Sequence, residues 1–574
     1  MHVLSPPIFA TTQRLCRPAV EFLHSSSERP MFMPRHRFPL SYFAVVLICV
    51  LVLAAFTSLV LMRPATETPA ATQTTTHPTT DNEKFQRPQD WSPYRPATHI
   101  TPANNWMNDP QRPFFLNGLW HFYYLYNADY PDGNGTAWFH VTSTDMVHWK
   151  DEGVAIEKYT NGLGDIWTGS AVVDTQNTAG FGKDAVVSLV TQQVDGVQRQ
   201  SLFYSTDGGY SFTSYKGNPV MDNPGLEAWR DPKIVWDEER SQWLMLLAEG
   251  NKIGFYTSPN LKSWTYQSGF ERNDLGVIEC PDLFEMAVDG DPERTTWVLG
   301  ISANGESTGR TTGYTYWTGS WDGTNFVPEQ DDPRWLDAGA DFYAAVTWDD
   351  PNAENPLAQR YAIGWMNNWA YAGALPKEDW SGGTMSTVRQ LSLRTVDGQP
   401  QLNSQPINAI TELEGGQQQT EAQQLEQNNP VSLPRPTTDA YRLRLSLAPD
   451  AKHPAKETLV KLEDPDGSFI TLGYNVGNQT LSLARDSDKI AGQMPEAYRQ
   501  IRSEKVPLRD GRLNLDVVVD TTSVELFAQD GEAALSSIAV LSPGQHELSI
   551  ESLGGDTQLL SATLNPLAVT ASTR

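Results

Sequence analysis

Cysteine is scarce: the chain has three in 574 residues. A disulfide-stapled scaffold and a cysteine-rich zinc module are thereby excluded. Positive charge is short as well. Lys and Arg number 42 against 69 Asp and Glu, a net charge of −27. Nucleic acid and anionic lipid both reward clustered positive charge, so neither is a main partner. Beyond residue 91 no long stretch keeps helical periodicity. That region also has no HExxH pair, no phosphate-cradling glycine loop and no GxSxG, which removes the common zinc-protease, nucleotide and serine-hydrolase readings. No metal and no cofactor is implied.

What is present begins with one hydrophobic run. Leu40 to Met62 carries no charged residue and is long enough for a spanning helix of about 20 residues. Arg29, Arg35 and Arg37 precede it and only Arg63 follows closely. The positive-inside rule then predicts a cytoplasmic segment over 1–39, a signal anchor over 40–62 and everything later outside the cell, or secreted if the segment is cut. Residues 63–94 read as a stalk rich in Thr, Pro and Ala, an extended spacer with no core to bury. Cys280 is the only cysteine after the run, so no internal disulfide is expected there.

From about residue 95 the pattern is β: short apolar stretches alternate with polar residues and are cut by Gly, Asp, Asn and Pro. A weak repeat runs through STDMVHW (143–149), STDGGYSF (205–212), SPNLKSW (258–264) and WTGSWDGTNF (317–326). A period of this size with several strands per unit predicts propeller blades, at about 60 residues each, hence five over 95–410. Gly, Gln and Pro enrich 411–436, which reads as a linker. Beyond it, 437–574 alternates cleanly and predicts an antiparallel sandwich. The expected fold class is therefore all-β: a five-bladed β-propeller followed by a β-sandwich.

The residues that carry chemistry are acids in unusual company. Asp109 lies between Asn108 and Pro110, Asp231 between Arg230 and Pro232, and Glu279 one residue before Cys280-Pro281. Proline interrupts strand pairing, so these acids are expected at strand ends or bends. In a propeller the innermost strands line an axial funnel, where three acids from three blades converge. Glycoside hydrolysis needs such a set: one carboxyl protonated to release the leaving group, one ionised to attack.

At this point the chain resembles glycoside hydrolase family 32, the family of invertases, inulinases, levanases and related fructosyltransferases. WMNDP (106–110), WTGSAV (167–172), WRDPK (229–233), ECPDLF (279–284), DFYAA (341–345) and WMNNW (365–369) occur in the family's order, and LDVVVDTTSVELFAQDGE (515–532) is similar to its sandwich motif. The resemblance covers about residues 95 to 567. It implies retaining cleavage of β-fructofuranosidic bonds, with Asp109 as nucleophile, Glu279 as general acid/base and Asp231 as transition-state stabiliser. The apolar run before Glu279 fits a raised carboxyl pKa. By the same match Trp106, Asn108, Trp138, Ser170, Arg230 and Trp365 line the fructose pocket. The implied partner is a fructan or fructo-oligosaccharide.

The chain departs from the family pattern in three places. Gln111-Arg112 stands where Asn-Gly is usual, Leu125 where the family has a Gln, and 132–135 (DGNG) where Trp-Gly is expected. These departures resemble levan fructotransferases, although Asn108, often missing there, is present. They lean toward levan-type β-2,6 fructan and leave hydrolysis, transfer and levanbiose release open. A catalytically inactive fructan-binding protein is the alternative of another class; keeping Asp109, Asp231 and Glu279 together opposes it.

Overall fold

Strand-forming residues in this chain come in alternating runs that end at Asp-Gly, Asn-Gly and Gly-Gly turns, and each run folds back on its predecessor. The computed structural model describes residues 92–570, apart from 134, 311, 377–379, 382 and 545. Among them the only α-helix is the four-residue Glu496–Arg499, so the all-β expectation holds. The 40–62 run and nearly all of the 63–94 stalk lie outside the described residues. Among the described residues no helix is long and apolar enough to cross a membrane.

The first half is a series of antiparallel meanders. The first starts with the strand Asn105–Leu116, and the second with Asp165–Asp174; a bridge between Arg112 and Ser170 joins them into one sheet. The next three start with Arg230–Asp237, Ile278–Ala287 and Tyr343–Trp348. These leading strands contact their counterparts in adjacent meanders, first to second, second to third and onward, and the last returns to the first. The sheet series is therefore curled and propeller-like.

The sequence repeat has a structural cause. Each of its first three copies links the third and fourth strands of a meander, where a small residue and an acid or amide fold into a side-chain-capped turn. Ser143 and Asp145 cap one, Ser205 and Asp207 the next, Ser258 and Asn260 the third. In the fourth copy Asp322 receives the N–H groups of Thr324 and Asn325. The closing aromatic packs back on the sheet: Trp149 against Phe122, ring centroids 5.5 Å apart.

The C-terminal part is a sandwich of a seven-stranded and a six-stranded sheet over a core of Leu, Val and Ile side chains. The expected 411–436 linker is corrected. Gln418–Thr420 and Gln423–Leu425 pair with Thr557–Pro566, and Val431–Ser432 pairs with Glu547–Leu553, so this stretch is sandwich edge. Its glutamines suit an edge strand exposed on one side.

Propeller-like and sandwich parts share buried surface. One apolar cluster joins Met107, Phe122 and Trp348 to Val518, Phe527 and Ala534. Beside it runs a fully buried ionic chain. Arg389 binds Asp337 and Glu525 at 2.8 Å each, and His99 sits between Glu525 (2.9 Å) and Asp520 (2.8 Å). Buried charges persist only when paired in this way.

Candidate active site

Every leading strand carries a β-bulge at the same level. Strand register slips between Asn108 and Pro110, between Ile166 and Gly169, between Arg230 and Lys233, between Glu279 and Asp282, and between Tyr343 and Val346. A bulge adds a residue, bends the strand and re-aims its side chain. Pro232 and Pro281 sit inside these bulges and Pro110 closes its own, positions where a missing N–H is tolerated. The acids are thus on bends: Asp231 and Glu279 are each the second residue of their strand, at its start, and Asp109 lies inside Asn105–Leu116.

In three successive strands the bulge has one conformation. Asp231, Cys280 and Ala344 all hold positive φ, at 63°, 49° and 51°. Such strain in non-glycine residues costs on the order of 1–3 kcal/mol each and clusters at functional sites. The residues just before them, Arg230, Glu279 and Tyr343, occupy equivalent positions and form a row. Arg230 Nε donates to Glu279 Oε1 at 2.8 Å, and the Tyr343 hydroxyl donates to Glu279 Oε2. Glu279 is therefore held by polar neighbours on both oxygens, not set against the apolar wall that the preceding run predicts. That run turns into the core instead: Ile278 is buried.

Asp109 is held from both sides. Asn108 Nδ2 donates to its Oδ1 at 3.0 Å, and Thr168 Oγ1 donates to its Oδ2 at 2.5 Å. Trp106 Nε1 in turn fixes Asn108 Oδ1 at 3.0 Å. Burial raises the Asp109 carboxyl above its ordinary range; the Thr168 donor opposes this, and the Glu279 charge adds to it. Asp231 accepts the Cys280 backbone N–H at 3.0 Å. Burial and then the Glu279 charge push Asp231 up to about 7, with Arg230 opposing. Three interacting carboxyls with one guanidinium among them favour retention of a proton within the set near neutral pH. That is the requirement for acid–base work.

Gln111 explains one departure from the family pattern. Its side chain is fully buried; Nε2 donates to the Asp109 carbonyl at 2.9 Å, and Oε1 accepts the Gly169 N–H at 2.8 Å. It ties the Asp109 bulge to the strand that carries Thr168. Arg112 pairs with Asp349 at 2.8 Å. Leu125 packs with Trp138 and Ile166.

Aromatic rings wall one side. Trp106 lies 4.7 Å from Tyr130 and 6.3 Å from both Trp365 and Trp369. Trp365 is 0% exposed, whereas Trp369 is 49% exposed. Trp365 thus backs Trp106 and Trp369 from the core. Trp138 and Ser170 also face inward. Trp138 is fully buried and donates to the Trp167 carbonyl. Ser170 is also buried and bridges two meanders, donating to the Pro232 carbonyl and accepting the Ile234 N–H. Sequence reading missed Thr168, Tyr343, Tyr130 and Trp369. Thr168, Tyr343 and Trp369 lie inside quoted motifs, and only their contacts single them out.

Two family sequence profiles match the chain: "Glycosyl hydrolases family 32 N-terminal domain" over residues 99–406 and "Glycosyl hydrolases family 32 C terminal" over 409–566. Among curated relatives, a levanbiose-producing levanase of Bacillus subtilis is 44% identical over 480 residues, which is 82% of this chain and 90% of that protein. Another, from Geobacillus stearothermophilus, is 51% identical over 387 residues, 66% of this chain and 96% of that protein. Among solved structures, an exo-inulinase from Aspergillus awamori superposes with a TM-score of 0.75 at 29% identity, covering 83% of this chain and 99% of that one.

Proposed function

The chain belongs to glycosyl hydrolase family 32, and from that premise we propose a retaining mechanism for its hydrolysis of β-fructofuranosidic bonds in fructans. The observation that carries the reading is the convergence of Asp109, Asp231 and Glu279 from three separate leading strands onto one electrostatically coupled set. Asp109 is the nucleophile. Thr168 and Asn108 donate to its two oxygens and so favour the ionised form that attacks C2. Glu279 protonates the leaving oxygen and then draws a proton from the incoming water. Asp231, fixed by the Cys280 N–H, binds ring hydroxyls as positive charge develops, and Arg230 accompanies it. Trp106 and Asn108 bound the sugar on the remaining side. The meanders are read as the five blades of a propeller whose axis holds this site.

The preferred substrate is levan-type β-2,6 fructan, with inulin and sucrose as further candidates and fructose as the product. Levanbiose release is the second reading, favoured by the names of the two levanase relatives. Incubating the purified protein separately with levan, inulin and sucrose, and resolving early products by anion-exchange chromatography, decides between them. Fructose alone from levan establishes exo-hydrolysis. A disaccharide establishes levanbiose release, and no product from any of the three refutes the enzyme reading. Anchoring by residues 40–62 with the catalytic part outside, or secretion after cleavage, completes the proposal. Protease treatment of intact cells tests it: loss of activity without lysis is expected for the anchored form.

A further inference from the structure

We infer that Arg485, a sandwich residue, is a positioning residue for the proposed acid/base: it sets the segment that presents the Tyr343 hydroxyl to Glu279. The inference rests on the proposed role of Glu279. Arg485 lies on the sandwich strand Thr480–Ser487 and is buried, as is Asp341. Its Nη1 binds Asp341 Oδ2 at 2.6 Å, and its Nη2 donates to the Tyr371 hydroxyl at 2.5 Å. Tyr371 donates that hydroxyl to Asp341 Oδ1 at 2.5 Å. The Ile538 N–H, at the end of the strand Ala533–Ile538 in the other sandwich sheet, adds a third donor to Asp341 at 2.8 Å.

Asp341 lies two residues before Tyr343, so a carboxylate fixed at both oxygens fixes the start of the leading strand. The run before it is moulded on the sandwich as well. The Ala338 N–H donates to the Ala534 carbonyl at 2.7 Å, and the Asp341 N–H to the Ser536 carbonyl at 3.0 Å. Gly339 is so close that a Cβ there would lie 2.1 Å from the Ser536 carbonyl oxygen. Asp337 accepts from Ser536 and Arg389 at the far end. These clamps hold the segment at Asp337, Ala338 and Asp341, and the strand that follows carries the Tyr343 hydroxyl to Glu279. A planar guanidinium suits this task because it reaches two oxygens in a fixed fork. Tyr371 also lies two residues after Trp369, so the same clamp braces the exposed aromatic.

A general acid leaves a signature that ordinary loss of fold does not. Its disturbance slows substrates with poor leaving groups and spares those that depart without a proton. The test compares kcat/KM of the full chain on levan and on p-nitrophenyl β-D-fructofuranoside for Arg485→Lys, Tyr371→Phe and Glu279→Gln, with thermal melts alongside. For Arg485→Lys we expect a loss of roughly 10–100-fold on levan and under about 3-fold on the aryl fructoside. Equal losses on both substrates, or none, overturn the inference. If Arg485→Lys gives no cooperative melt, Tyr371→Phe decides by the same criterion, because it removes one hydroxyl and keeps the ring. Glu279→Gln reports separately: without the leaving-group signature there, the acid/base reading itself fails. With the signature in Glu279→Gln but in neither other variant, only the role of Arg485 falls.

Discussion

Arg230 Nε lies 2.8 Å from Glu279 Oε1, and the same guanidinium lowers the carboxyl pKa of its chain neighbour Asp231. One cation thus acts on two of the three acids. Its removal has a predictable sign. Asp231 stands at about 7 with Arg230 opposing the rise, so Arg230→Met lifts it further. If Asp231 works ionised, the acidic limb of kcat/KM moves to higher pH in this variant. The pH–rate profile checks this; a limb that stays in place assigns it to another group. The three carboxyls interact, so the measured midpoints belong to the set.

Thr168 offers a second test, on the nucleophile. Its hydroxyl favours the ionised form of Asp109 against burial. Thr168→Val keeps the shape and removes the donor. A hydrogen bond to a charged group contributes about 1.5–3 kcal/mol, which corresponds to a loss of roughly 10–150-fold in kcat/KM. Asp109→Asn should abolish turnover, whereas Thr168→Val should keep a measurable residual rate because the nucleophile is still present. Steady-state kinetics on levan distinguishes the two.

Much of this was legible before any coordinates. The side-chain-capped turns at Ser143, Ser205 and Ser258 repeat because each closes a meander in the same way, and a repeat of local chemistry survives in sequence. The acids Asp109, Asp231 and Glu279 stand out through their prolines, which mark bulges. What stayed hidden is non-local. Tyr343 and Thr168 gain their meaning from partners 64 and 59 positions away, and nothing in their own segments announces it. Glutamine-rich 411–436 looked like a linker because short edge strands carry little apolar pattern. Trp138 and Trp365 looked like pocket residues because tryptophan suits both a sugar site and a β core.

That last ambiguity is itself testable. Trp138 is fully buried and Trp106 lies beside Asn108. Trp138→Ala should cost on the order of 3–5 kcal/mol of stability, and Trp138→Phe should lower the melting temperature with KM for levan unchanged. Trp106→Phe should do the reverse, raising KM several-fold with little thermal cost. Melting curves and steady-state kinetics on the two variants give the comparison, and a raised KM in Trp138→Phe would restore it to the sugar site.

His99 predicts how the protein melts with pH. It is buried between Asp520 and Glu525, which link the start of the propeller-like part to the sandwich. Burial alone would lower its pKa, but hydrogen bonds and charge from the two carboxylates outweigh it and raise His99 to about 9. A raised histidine contributes stability fully below its unfolded value near 6.5, and the contribution disappears as pH climbs toward 9. The shift corresponds to a contribution on the order of 3 kcal/mol. Asp520 and Glu525 move the other way. Burial opposes them, yet their partners, His99 for Asp520 and chiefly Arg389 for Glu525, depress both to about 2. Their contribution is present above about 4.5 and fades as pH falls toward 2. The network is therefore strongest between about 4.5 and 6.5. Thermal unfolding should show its plateau there and a decline from pH 6.5 to 9. In His99→Gln the alkaline decline should flatten, since no proton remains to be lost. An unchanged alkaline slope in that variant would assign the decline to other groups and leave His99 neutral in the folded protein.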